Sequence, residues 1–181
     1  MAKSQIRKKI INLRKFKNKN NIKLSFSKLS SILKILNYKK KLFGGYYPIN
    51  YEMDDIHILK ELEKKGSEIS LPIIKSNNQM DFYHWNSKNL LSVNKFGIPE
   101  PKKTKKVYPD IIFVPLVAFD KDLYRIGYGG GYYDRYIEKI SKIKKILKIG
   151  IAHSCQKINK VPLNKYDRKL DIIFTERYVL R

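Results

Sequence analysis

Ile6, Ile10 and Leu13 repeat at helical spacing within Ser4 to Lys17, and the positions between them are basic nearly all round. That pattern predicts an amphipathic first helix. Similar spacing predicts a second helix from Phe26 to Leu36, with Ser25 placed to cap it. Residues 42–49, LFGGYYPI, read as a short strand interrupted by glycine and ended by Pro48. In MDDIHILKELEKKG a third helix is expected, with Asp54 or Asp55 as its N-cap, Ile56, Leu59 and Leu62 as its buried stripe, and Gly66 closing it. ISLPII and MDFYHW follow as strands, and residues 86–109, with three of the seven prolines and a lysine cluster, as an exposed connection.

The pattern then changes. YPDIIFVPLVAFD carries β-branched and aromatic residues without polar alternation, as a strand buried on both faces of a parallel sheet does. A glycine-rich loop follows it directly, then a helix from Tyr132 to Lys145 and buried strands at 147–152 and 171–174. Strand, loop, helix and strand make a βαβ unit, so the expected class is α/β with a mainly parallel or mixed sheet. Ligands of such sheets collect beyond the carboxyl ends of the strands, where the glycine loop is expected to sit.

At 181 residues the chain is sized for one domain, 1–181, and 43% hydrophobic content argues against wholesale disorder. A single cysteine, Cys155, excludes a disulfide framework and points to a reducing cytoplasm. No apolar run approaches about 18 residues and no signal-peptide core follows the basic start, so neither a membrane partner nor processing is expected. The net charge of +23 raises nucleic-acid binding as a rival function. Lysine outnumbers arginine 32 to 7, however, beside 25 isoleucines and 13 asparagines, the bias of an AT-rich coding sequence. Specific readers of phosphate and bases favour arginine forks, and no RNA or DNA signature is present. Most of the charge is therefore assigned to a solvated surface.

Residues 125–136 read RIGYGGGYYDRY, with glycine at 127, 129, 130 and 131. The third glycine of a Rossmann fingerprint is replaced by Tyr132, and no Walker string occurs. What remains is an anion nest of backbone N–H groups followed by a helix N-terminus, which suits phosphate. A tight turn that merely lets strand and helix pack closely would use the same glycines. Arg125 can add charge to a phosphate site and Asp134 can hold magnesium, although an acid in a first helical turn is favourable without a metal.

VPLVAFD followed by RIGYGGGYYDRYI closely resembles the signature of the 5-formyltetrahydrofolate cyclo-ligase family. The segments KSQIR, GYYPINYEMD, LPII, NKFGIPEP and VPLNKYDRKLDIIFTE resemble further family segments in the same order. The resemblance implies a single three-layer domain with a central mixed, mostly parallel sheet flanked by helices. It also implies ATP- and magnesium-dependent conversion of 5-formyltetrahydrofolate to 5,10-methenyltetrahydrofolate, with ADP and phosphate released. Carried over residue by residue, it implies ATP contacts from Lys3, Arg7, Arg125, Ile126, Gly127, Tyr128, Gly129, Gly130, Gly131, Tyr132 and Tyr133, with Arg125 and Tyr132 catalytic. Tyr47, Glu52 and the Tyr128–Tyr132 stretch would meet the folate, and Asp134 and Asp167 the magnesium. The expected partners are the two small molecules, with no specific nucleic acid, and a monomer is favoured over an obligate oligomer. A folate- or nucleotide-binding relative without the reaction is the remaining alternative. Two positions depart from the family pattern: Tyr124 stands where many members have glycine, and Tyr166 stands where many have histidine before the acid. Cys155, Ser154, His57, His84 and His153 are given no metal or nucleophilic role.

Overall fold

The structure, a computed structural model, describes residues 2–17, 22–37 and 41–181. Helices α1 (Lys3–Lys17) and α2 (Phe26–Ile35) open the chain, and Ser25 accepts the N–H of Lys28 as the expected cap of α2. Strand β1 is only Leu42–Gly44, shorter than the apolar run predicts, because the chain turns into the site after Gly45, whose N–H makes the last bond to β2, to the Ser70 carbonyl. After α3 (Ile56–Lys64) come β2 (Glu68–Ile74), β3 (Met80–Trp85) and the short strands β4 (Ser92–Val93), β5 (Pro99–Glu100) and β6 (Lys106–Val107). The exposed connection thus contains a small β4–β5 hairpin and a strand that completes the sheet edge.

The long apolar run over residues 108–120 divides into two strands. Ile111–Pro115 forms β7 in the central sheet, and Ala118–Phe119 forms β8, which pairs antiparallel with β9 (Arg125–Ile126) in a separate ribbon. The glycine loop therefore follows β9 rather than the buried strand itself. Asp120 ties the ribbon's turn by accepting the N–H groups of Asp122 and Tyr124, and this turn occupies the spacer in which Tyr124 departs from the family. Helix α4 (Tyr132–Ser141), β10 (Leu147–Ile151), β11 (Ile172–Phe174) and β12 (Val179–Leu180) complete the order.

Eight strands form the central sheet in the order β12-β11-β10-β7-β1-β2-β3-β6. The five from β11 to β2 run parallel, β12 and β3 pair antiparallel with the two ends of that set, and β6 pairs antiparallel with β3. Strand β7 shows why this makes three layers. Ile111 and Phe113 pack with the apolar faces of α2 and α3, while Ile112 and Val114, pointing the other way, pack with Tyr136, Ile137 and Ile140 of α4. Each of these buried aliphatic side chains contributes about 1.5–3 kcal/mol. Ile58, rather than the half-buried Ile56, completes the inner stripe of α3. Helix α1 lies apart, with Ile6 and Ile10 against Val117, Ala118 and Ile126 of the ribbon. Among the described residues no helix is long and apolar enough to cross a membrane.

Candidate active site

Two turns beyond the carboxyl ends of the parallel strands meet at the glycine loop. The first begins at Gly44 and Gly45, where a Cβ would stand 2.6 Å from the Phe82 ring and 2.3 Å from a Leu59 methyl. Only glycine lets α3 approach β1 so closely. Asp55, at the start of α3, uses its carboxylate to accept the Tyr46 N–H at 3.1 Å instead of capping its own helix; Asp54 accepts the Ile56 N–H there. Tyr46 donates its hydroxyl to the Met53 carbonyl at 2.6 Å. Between these ties, Asn50 and Tyr51 take left-handed φ values of 48° and 62°, strained for tyrosine. The turn delivers Glu52 inward, with Oε2 accepting the Ile49 N–H at 2.9 Å.

Glu52 sits in the wall of an apolar cavity of about 210 Å³ with Tyr47, Ile74, Ile98, Tyr128 and Tyr132. Burial pushes its carboxyl up to about 7, against the pull of the Ile49 N–H, the Arg14 guanidinium and the Tyr128 hydroxyl. Its Oε1 is buried and has no hydrogen-bond partner of ordinary geometry among the described residues. Such an atom is costly until a donor arrives. Burial also raises Asp55 well above the carboxylate range, aided by the charges of Asp54 and Glu52, and pushes the Tyr128 phenol up to about 12.

On the other side of the glycine loop lies a second cavity of about 440 Å³, lined by Lys3, Arg7, Arg135, Asp134 and Asp167. Arg125, Gly127, Gly130, Gly131 and Asp134 border both cavities, so the loop is their common wall. Arg7 donates to the Gly127 carbonyl at 2.7 Å, and Arg135 donates to the carbonyls of Gly130 and Asn78. The loop amides are treated differently. Among the described residues no N–H from Gly127 to Gly131 has an acceptor, and α4 begins at a left-handed Gly131 with no side-chain cap. Carbonyls engaged by cations and amides left open, at the positive end of a helix, make an anion cradle.

Three carboxylates border the basic cavity, and of these Glu138 is paired with Arg168 at 3.3 Å. Asp134 Oδ1 accepts Arg125 at 2.9 Å and the Arg168 N–H at 3.1 Å, and Asp167 Oδ2 accepts Lys3 at 2.6 Å and the Asn164 N–H at 2.7 Å. Each leaves its other oxygen without a hydrogen bond among the described residues. Magnesium commonly takes one or two carboxylates together with phosphate and water, so this pair fits it. Arg125 is itself buried and spends its fork on Asp134 and the Arg168 carbonyl, which fixes the carboxylate in place.

Residues 2–176 match the model of the 5-formyltetrahydrofolate cyclo-ligase family. The chain belongs to the 5-formyltetrahydrofolate cyclo-ligase family. The 5-formyltetrahydrofolate cyclo-ligase of Escherichia coli K12 is 32% identical over 131 residues, 68% of this chain and 71% of its own length. The solved structure of Aquifex aeolicus 5,10-methenyltetrahydrofolate synthetase shares 36% identity at a TM-score of 0.81 and covers 100% of this chain and 93% of its own. That of the Mycoplasma pneumoniae enzyme gives 0.71 at 26% identity, over 98% and 100%.

The cyclo-ligase positions singled out by sequence assemble as two groups. Tyr47, Glu52, Tyr128, Tyr132 and Tyr133 line the apolar cavity, Lys3, Arg7, Ile126, Gly129, Asp134 and Asp167 the basic one. Tyr166, the departure from the family's histidine, is exposed on the basic rim. Arg14 was not among those positions. Its residue is 1% exposed, and its side chain donates to the Tyr128 hydroxyl and the Leu116 carbonyl. A signal for it exists: Arg14 follows Ile10 by four and Ile6 by eight, on the buried stripe of α1.

Proposed function

We propose that this chain catalyses the ATP-dependent cyclisation of 5-formyltetrahydrofolate to 5,10-methenyltetrahydrofolate, with release of ADP and phosphate. The observation that carries the reading is the shared wall: an apolar cavity holding one buried, half-satisfied carboxylate meets a basic cavity across a loop of open amides. Membership of the cyclo-ligase family supports the same reaction.

A formyl group on nitrogen 5 is an amide, with a poorly electrophilic carbon and an oxygen that does not leave. Transfer of the γ-phosphoryl group to that oxygen cures both defects. Nitrogen 10 of the same molecule then attacks the carbon, loses its proton, and the former formyl oxygen departs in phosphate. Phosphoryl transfer asks a protein mainly for positioning and charge neutralisation. In this reading the pteridine enters the apolar cavity and offers N–H donors to Glu52, with Tyr47 and Tyr128 beside it. The triphosphate lies along the amides of Gly127–Gly131, with Lys3 and Arg7 neutralising its charge. Tyr132, the first residue of α4, stands at the junction where formyl oxygen and γ-phosphorus meet. Arg125 acts there by holding Asp134 and the start of α4.

Asp134 and Asp167 would hold magnesium, which when bound supplies charge neutralisation to the phosphates. Asp134→Asn keeps an oxygen for Arg125 but lowers the charge offered to the cation. The magnesium concentration for half-maximal rate should rise about tenfold, the lower end of what lost metal-site support costs. An unchanged magnesium titration would remove Asp134 from the metal site.

The reading itself is tested by mixing the protein with 5-formyltetrahydrofolate, ATP and magnesium and following the near-ultraviolet absorbance of the methenyl product. Growth of the band that stops when ATP is omitted is the expected result. No product from folded protein would instead favour a binding relative of the family. The further readings are a single domain acting as a monomer in a reducing cytoplasm; sedimentation velocity tests the oligomeric part.

A further inference from the structure

Arg14 is a buried cation with no carboxylate in salt-bridge contact among the described residues. Its Nη1 reaches the Leu116 carbonyl at 3.4 Å, a long bond, its Nη2 donates to the Tyr128 hydroxyl, and its Nε is buried without a partner. Removing a guanidinium from water is expensive unless an opposite charge compensates. The opposite charge is Glu52, whose Oε1 is likewise buried without a partner. Between the two stands Tyr128 of the glycine loop, bonded to Arg14 and against the Glu52 carboxyl. Helix α1 thus touches, through one side chain, the loop that forms the common wall, and the charge of that side chain acts on the acid in the wall of the apolar cavity.

We infer that Arg14 is a positioning residue for folate recognition: through Tyr128 it holds the glycine loop against the apolar cavity, and it keeps Glu52 charged so that its free oxygen can receive the pteridine's N–H donors. This rests on the functional reading above. The Ile49 N–H and the Tyr128 hydroxyl also favour the charged form, but as neutral donors; the other titratable groups around Glu52 work against ionisation or leave it alone. Asp55, at the head of α3, adds a like charge whenever it ionises, and the phenols of Tyr46 and Tyr133, raised by burial, stay neutral. Arg14 is therefore the one cation acting on Glu52 among the described residues. His153, buried beside Arg14, has its imidazole lowered by burial and adds no competing charge at neutral pH.

The test measures binding of 5-formyltetrahydrofolate by calorimetry from about pH 5.5 to about pH 9, with ATP binding in parallel, spanning the range in which a raised carboxylate titrates. In the wild type, folate affinity should rise with pH through the Glu52 titration and then level off. Arg14→Met should weaken folate at pH 7 about tenfold or more and move the rise upward by about one pH unit, since losing a nearby cation raises a carboxyl pKa. ATP affinity should change less than about twofold, a difference too small to reflect lost triphosphate contacts. Arg14→Lys retains the charge and should return the pH profile most of the way. A purely structural role would lower the melting temperature and leave the profile where it was. An unshifted profile in Arg14→Met, or a lysine variant as displaced as the methionine one, overturns the inference. Glu52→Gln provides a measurement that does not depend on an Arg14 variant folding: the rise with pH must disappear, and its persistence overturns the inference too. Wild-type turnover is the separate control. Its absence sinks the functional reading, whereas its presence with an unshifted Arg14→Met profile sinks only the role of Arg14.

Discussion

Gly130→Val should stop turnover and leave the protein folded. A Cβ at Gly130 would stand 2.6 Å from Cε2 and 2.8 Å from Cδ2 of Tyr132, with nothing else closer than the 3.8 Å to the same ring. The collision is confined to one partly exposed ring, and Gly130 does not occupy the left-handed region, unlike Gly129 and Gly131 at φ 110° and 65°. The backbone therefore accepts valine, and the cost falls on Tyr132, which must swing away from its place in the wall of the apolar cavity. The branched side chain also covers the open amides of the loop, where the proposed reading puts the triphosphate. Losing one well-placed donor to a reacting oxyanion costs about 10²–10³ in rate, so displacing a tyrosine and screening several amides should cost at least about 10³. Circular dichroism and a melting curve report the fold, and methenyl absorbance reports the rate. Turnover near the wild-type value would show that the loop does not contact the reactants.

Glu52→Gln should weaken 5-formyltetrahydrofolate about a hundredfold and ATP hardly at all. Replacing a charge-assisted acceptor of N–H donors by an amide costs roughly 2–3 kcal/mol, and the basic cavity on the other side of the loop is untouched. Equal losses for both ligands would deny Glu52 its role. Stability supplies an independent check. The folded carboxyl is raised to about 7 by burial from an ordinary value of 4.5. Its contribution to stability is complete below about pH 4.5 and is lost as pH climbs through 7. By linkage the loss is about 3 kcal/mol, at about 1.4 kcal/mol for each pH unit between the unfolded and folded values. The free protein should melt at a lower temperature at pH 8 than at pH 5, and the glutamine variant should lose much of that slope. A carboxylate that destabilises its own fold as it ionises is behaving as functional sites do.

The β-sheet core, both capped ends of the α2 and α3 region, and the glycine loop were legible because each rests on local pattern. Ser25 before an apolar helical stripe and alternating faces along Ile111–Val114 need no long-range information. The division of the 108–120 run into β7 and β8 was not legible, because both pieces are equally apolar and only the antiparallel return of Arg125–Ile126 separates them. Asp54 and Asp55 were both visible as caps, yet their division of labour depends on Gly45 admitting α3 within reach of the Tyr46 N–H. For the site, the two sides of the glycine loop were foreseen as ligand contacts, but Arg14 was hidden in a helix that reads as basic all round. A guanidinium on an apolar stripe is marked by periodicity, but its partners lie more than a hundred residues away, at Leu116 and Tyr128.

Arginine is scarce here, and its distribution is uneven. Of the seven, Arg7, Arg14 and Arg135 grip the glycine loop, while Arg125 and the backbone of Arg168 hold Asp134. Lys8, Lys9 and Lys15 point from the opposite side of α1 into solvent. Apart from Lys3 on Asp167, charge and chemistry on α1 are thus carried by different residues. Exposed lysines such as Lys8, Lys9 and Lys15 can be recoloured from basic to acidic without crossing the loop, whereas the loss of a single arginine fork removes one of its supports.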